Sequence, residues 1–272
     1  MQTKTISTAK FPELYYRLSG TGNVIILLHG FPLNGTIWDD VVTKLSLNYT
    51  VIVPDLPGAG QSSFHGTELS IEDMAESVKA ILVNEGIKNA VVAGHSMGGY
   101  AAIAFTDLYP EMVAGLGMIH STATADTEEK KEQRRKSIAL FEKGGKDTFI
   151  KQMIPTLFAE QNREKFKEEI NSLTEQALLT ESKSMVAFYN AMINRPDRTN
   201  TLKTATMPIL WIIGGNDGII PPKNLIQQTS LANVNFVHTH EGCGHMSMME
   251  VPEDLADNIK SFADYCFNKA AH

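Results

Sequence analysis

The chain has 272 residues, 43% hydrophobic and 20% charged, with a formal net charge of −7. That length suits one large domain, or a core domain carrying an insertion, and the acidic balance argues against a nucleic-acid surface, which needs clustered Lys and Arg. Two cysteines, Cys243 and Cys266, are too few for a disulfide framework, and neither their spacing nor any His-x-x-x-His or acidic cluster suggests a metal site.

Residues 1–7 lack the apolar stretch of a secretory signal. No segment approaches the ~20 apolar residues that span a bilayer. The expectation is a soluble, cytoplasmic protein without membrane partner or cofactor, monomeric or homodimeric. Residues 3–18 predict two short strands, the second over 13–18. Val24 to Leu28 is a continuous aliphatic run between turn residues, as in a strand buried on both faces of a parallel sheet, and it ends in His29-Gly30-Phe31-Pro32. Ile37, Trp38, Val41, Val42 and Leu45 have helical spacing. A strand over 50–54 leads into a Gly/Ser-rich loop, 55–63. Ser70 and Asp73 have the spacing of a capping box opening a helix that runs to about residue 85.

An apolar strand over 91–93 then meets Gly94-His95-Ser96-Met97-Gly98, with a small-residue helix after it. Another buried strand covers 113–119. This strand–helix alternation implies a parallel α/β sheet with helices on both faces. From 121 to 201 the character changes to charged, Met- and Phe-bearing sequence with helical spacing over 128–143, 148–158, 163–179 and 182–193. Its dense run 128–136 mixes both signs and reads as a solvated helix face. The pattern resumes with a strand over 207–213, a helix over 222–229, a strand over 234–239 and a last helix over 252–267. The predicted organisation is a core of 1–120 and 202–272 with a helical cap of 121–201.

Gly94 and Gly98 have a mechanical reason to flank Ser96, because a tight strand-to-helix reversal presses backbone against backbone. A serine hydroxyl needs a base, and the base needs a partner that fixes its tautomer. In parallel α/β sheets such groups gather at the carboxyl ends of strands. Ser96, Asp217 and His245 meet that condition, in the chain order Ser, Asp, His. Competing readings stand beside each. Ser96 also suits a helix N-cap, His245 a structural histidine, and Asn216-Asp217-Gly218 a turn, with Glu241 as substitute acid. Cys243 suits packing better than a second nucleophilic role.

Over essentially its full length the chain resembles the α/β-hydrolases. The resemblance rests on His29-Gly30-Phe31-Pro32, on Asp55-x-x-Gly58-x-Gly60-x-Ser62 and on Gly94-His95-Ser96-Met97-Gly98-Gly99. Gly215-Asn216-Asp217 and Gly244-His245 followed by Glu250-x-Pro252 complete it. It implies a mostly parallel eight-stranded sheet flanked by helices, with an inserted helical cap. It further implies Ser96 as nucleophile, His245 as general base and then acid, Asp217 as its orienting carboxylate, and the backbone amides of Phe31 and Met97 as the oxyanion hole. Met97 opens a helix, so the helix dipole lies behind its amide. His29 is expected to support the oxyanion loop and His95 to pack beneath Ser96. His65, His120, His238 and His240 receive no role, the last two alternating like exposed strand residues.

Trp38, Tyr189, Met192 and Met246 are the candidates for a substrate pocket, although Met and aromatic residues at helical spacing are more often core. The implied activity is hydrolysis of small carboxylic esters or lactones through an acyl-enzyme, with a small-molecule substrate and no cofactor. Carbon–carbon bond hydrolysis, cofactor-free perhydrolysis on the same triad, and a non-catalytic ligand-binding member of the fold are the alternatives. His95 before the serine and Phe31-Pro32 after the His-Gly pair argue against the carbon–carbon reading.

Overall fold

Eight strands form one sheet in a computed structural model that describes residues 1–66 and 68–269. They are β1 (Gln2–Ile6), β2 (Leu14–Ser19), β3 (Val24–Leu28), β4 (Thr50–Pro54), β5 (Ala90–His95), β6 (Val113–Ile119), β7 (Ile209–Gly214) and β8 (Asn235–His240). Their spatial order is β1-β2-β4-β3-β5-β6-β7-β8. β1 and β2 pair antiparallel with each other and β2 with β4, and every other pairing is parallel. The aliphatic runs sit in the middle: β5 and β7 are buried along their whole length, as strands covered on both faces must be.

The helices are α1 (Asp39–Leu45), α2 (Ile71–Asn84), α3 (Met97–Leu108), α4 (Glu128–Glu142), α5 (Lys146–Met153), α6 (Lys167–Leu178), α7 (Ser182–Asn194), α8 (Thr199–Thr204), α9 (Ser247–Glu250) and α10 (Pro252–Lys269). α1 packs with α10, and α2 with α3. The expected capping box opens α2: the Asp73 N–H donates to Ser70 Oγ at 3.0 Å and the Ser70 N–H to Asp73 Oδ2 at 2.8 Å. Ile71, Met74, Ala75, Val78, Ile81 and Leu82 then form the buried stripe.

Three local expectations give way to tertiary contacts. The helix expected over 222–229 is only a 3-10 turn, Pro222–Asn224, because Gln228 turns inward and accepts from the Ala123 N–H at 2.8 Å. The helix expected over 148–158 ends at Met153, and a 3-10 segment containing Pro155 follows. On edge strand β8 the alternation is present with the opposite facing: Val237 and Thr239 are exposed, while His238 and His240 are half-buried.

Helices α4 to α8 all lie between β6 and β7. These helices and the 3-10 turns that join them touch the strand-end loops. Tyr189 stacks on Phe31 with ring centroids 4.6 Å apart, Leu157 O accepts from the His245 N–H at 2.7 Å, and Asn162 Nδ2 donates to Glu250 at 2.6 Å. Among the described residues no helix is long and apolar enough to cross a membrane.

Candidate active site

Ser96 is the single residue between β5 and α3, and its φ of +52° lies in the left-handed region. For a non-glycine residue that costs on the order of 1–3 kcal/mol and persists only where the surroundings enforce it. Here they do. A Cβ on Gly94 would collide with the Gly98 carbonyl, and one on Gly98 would stand 2.5 Å from Leu28 O and 2.6 Å from His29 O. The Ser96 N–H donates to Ile119 O at 2.9 Å, and Ser121 Oγ donates to Ser96 O at 2.8 Å.

β7 ends just before Asp217, which is buried. Its Oδ1 accepts from the N–H groups of Ile219 and Ile220 at 2.8 and 2.9 Å, and its Oδ2 from His245 Nδ1 at 2.7 Å. Burial alone would raise the Asp217 pKa. The charge of His245 and hydrogen bonds from His120 and His245 outweigh it and hold the carboxyl well below the usual range. Glu241 is exposed, so the substitute-acid reading has no geometric support. Cys243 is buried, and that burial, with the Glu250 carboxylate beside it, pushes its thiol pKa up, away from a thiolate nucleophile.

His120, given no role from sequence, is the main addition. Its Nδ1 donates to Asp217 Oδ2 at 3.2 Å and its Nε2 accepts from Ser247 Oγ at 2.6 Å, in the tautomer that satisfies both partners. Ser247 in turn is met by His240 Nδ1 at 2.9 Å, and His240 Nε2 by Asn258 at 2.9 Å. A polar chain therefore runs from the buried carboxylate to the half-buried β8 edge. The available sequence signal is position: His120 directly follows β6, at the same sheet edge as Ser96 and Asp217. The ligand atoms of His120, Asp217 and His245 lie within 4.8 Å of one another. Both imidazoles present an N–H to the one carboxylate oxygen, so those nitrogens have no lone pair for a cation.

The supporting histidines sit where expected. His29 Nδ1 donates to Gly30 O at 3.0 Å and its Nε2 accepts from the Leu56 N–H at 2.9 Å, bracing the loop before Phe31. Asp55 accepts from the N–H groups of Gly35 and Gln61 at 2.8 and 2.9 Å and ties the neighbouring loop. His95 lies under the site, its Nε2 donating to His245 O at 2.9 Å. Neither the Phe31 nor the Met97 backbone N–H has a protein acceptor among the described residues.

Ser96 and His245 open onto one cavity of about 270 Å³, with Phe31, Tyr189 and Met192 also in its wall. A larger cavity, about 430 Å³, lies beside Asn34, Gly58 and Ser184 and touches neither Ser96 nor His245. The smaller one, walled by both Ser96 and His245, is the candidate site. Two pocket expectations fail. Trp38 is fully buried, packed edge-on to His95 at 6.5 Å, and Met246 is fully buried behind the histidine loop; neither lines the cavity.

A family model described as alpha/beta hydrolase fold matches residues 23–252. The pimeloyl-[acyl-carrier protein] methyl ester esterase of Yersinia enterocolitica is 27% identical over 267 residues, covering 92% of this chain and 97% of its own. That of Vibrio vulnificus is 27% identical over 269 residues, covering 92% and 98%. Among solved structures, a thermophilic esterase from Thermogutta terrifontis, determined with malate bound, is 30% identical with a TM-score of 0.92, over 98% of this chain and 99% of that one. The chain belongs to the alpha/beta hydrolase fold family. Its full-length relatives are esterases, and it is an enzyme of the carboxylic-ester-hydrolase type.

Proposed function

We propose that the protein hydrolyses small carboxylic esters through a Ser96 acyl-enzyme. The observation that carries the reading is the 2.7 Å bond from His245 Nδ1 to Asp217, which directs the other imidazole nitrogen away from the acid, in a residue that shares a cavity with Ser96. Ser96 Oγ attacks the ester carbonyl carbon while His245 Nε2 takes the hydroxyl proton. The tetrahedral oxyanion accepts from the Phe31 and Met97 amides, donors whose removal typically costs about 10²–10³ in rate. His245 then hands the proton to the departing alkoxide. A water molecule repeats the sequence on the acyl-enzyme, releasing the acid and restoring Ser96.

The inserted helices act as a cap that excludes bulk water and bounds the substrate. At about 270 Å³ the cavity falls just below the roughly 300–1,000 Å³ of drug-sized sites and suits a small ester. The esterases of Yersinia and Vibrio act on the methyl ester of an acyl-carrier-protein-linked acid, which supports an ester over a carbon–carbon or peracid substrate. The test is Ser96→Ala. Hydrolysis of p-nitrophenyl butyrate is expected to fall on the order of 10⁴-fold or more, with unchanged circular dichroism and no labelling by a fluorophosphonate. Retained turnover in that variant overturns the mechanism.

A further inference from the structure

α4 has only one buried residue, Phe141, near its C-terminal end, so its inward face carries polar groups where an amphipathic helix would carry apolar ones. Lys130, Gln133, Arg134 and Ser137, at i, i+3, i+4 and i+7, all line the cavity that holds Ser96 and His245. The wall of that cavity contains two cations and no carboxylate.

The fold accounts for only part of Arg134 and for none of Lys130. Arg134 gives only its Nε to a protein acceptor, Asp126 Oδ2 at 2.6 Å, and its two terminal nitrogens make no protein hydrogen bond among the described residues. Asp126 does not neutralise it fully, because its other oxygen holds Arg195 Nη2 at 3.0 Å; one carboxylate stands between two guanidiniums. Aromatic faces lie over both guanidiniums, Tyr189 5.1 Å from Arg134 and Tyr100 3.9 Å from Arg195. Lys130 has no ion pair among the described residues. It occupies the first turn of α4, where a cation opposes the helix dipole, so helix stability is no reason for it to be there.

We propose that the site selects esters carrying a carboxylate, which Arg134 grips with its free fork while Lys130 supplies a second positive charge beside it. This specificity rests on the esterase reading above. A guanidinium fork matches a carboxylate bidentately, and partly desolvated charge-assisted bonds are the strong ones. Neutral esters of the same shape leave Lys130 and the terminal nitrogens of Arg134 without an anionic partner.

The test compares monomethyl succinate with methyl succinamate, its uncharged amide isostere. For the wild-type enzyme kcat/KM is expected to favour the anion by about 10-fold or more, mostly through KM. Raising the salt from 50 to 500 mM shrinks that ratio. Lys130→Gln and Arg134→Gln each cut the ratio several-fold, and the double variant brings it near one. Arg134 also belongs to the Asp126 network, so Lys130→Gln, which breaks no ion pair, decides the matter if Arg134→Gln fails to fold. Equal or better turnover of the amide, or a preference that Lys130→Gln leaves undiminished, overturns the proposal. Calorimetry on Ser96→Ala separates this from a failure of the esterase reading. Binding of monomethyl succinate that weakens about 10-fold on adding Lys130→Gln upholds the anion site even if no ester is turned over, and absence of binding sinks it.

Discussion

The buried Asp217 carboxylate accepts four hydrogen bonds, so its effect on His245 is a matter of which atom faces which. Asp217→Asn presents either an amide N–H or a carbonyl oxygen to two imidazoles that both need an acceptor, and one of them must turn. The expected result is a loss of about 10⁴-fold in kcat with little change in stability, read from steady-state kinetics and a melting curve. Glu241→Gln, at an exposed position, leaves kcat unchanged; a large loss there reassigns the acid. Ser96, Asp217 and His245 were legible as candidates because each lies in the turn or loop at the end of a strand-like run, and motif glycines mark those loops. His120 was not. Its place after a buried strand was the one signal, no motif glycine marks it, and its meaning comes from Ser247 and Asp217, which are distant in sequence and meet it only in the folded chain.

At the scale of elements, the β5–α3 junction is the most tightly specified feature. Gly94 faces the Gly98 carbonyl so closely that a methyl group there meets backbone rather than a movable side chain. Gly94→Ala is expected to cost about 3 kcal/mol or more, seen as a lowered urea midpoint, and wild-type stability in that variant would mean the elbow is not packed in this way. Such close approaches are readable from glycine spacing because nothing else fits. α4 shows the reverse. Its run 128–136 has the look of a solvated helix, and Glu128, Glu129 and Glu132 are indeed exposed, yet Lys130 and Arg134 are half-buried against the cavity. Hydrophobic periodicity reports which face meets a core. It is silent about a face that meets a polar cavity. The helix expected over 222–229 but not formed has a related cause, since Gln228 looks like a surface residue in sequence and serves as a buried clamp on the loop after β6.

For the whole molecule, the three histidines His29, His95 and His120 form a buried neutral set, and they make stability depend on pH. Each is fully buried, and burial is the largest influence lowering its pKa. Asp55 partly opposes it at His29 and Asp217 at His120, while at His95 the neighbouring imidazoles add to it. In the unfolded chain each titrates near its ordinary value, about 6.5. Below that pH the unfolded state takes up protons that the native state refuses. Their contribution is therefore fully present above about pH 6.5 and declines as the pH falls towards the native values, by up to ~1.4 kcal/mol per pH unit for each histidine. Asp126 and Asp217 add a second window: their native pKa values are lowered, so the stability they contribute is present above about pH 4 and is lost below it. Calorimetric melting is thus expected to fall in two stages, the first between pH 7 and 5 at about 2–4 °C for each kcal/mol lost. Replacing His29 by Gln, which removes one titrating site from the first stage and none from the second, flattens the upper slope alone. A melting temperature that stays level from pH 7 to 5 would show that these imidazoles are charged in the native protein. In that case Asp217 would face a cation at His120, and the orientation argued for His245 would no longer follow from its hydrogen bonds.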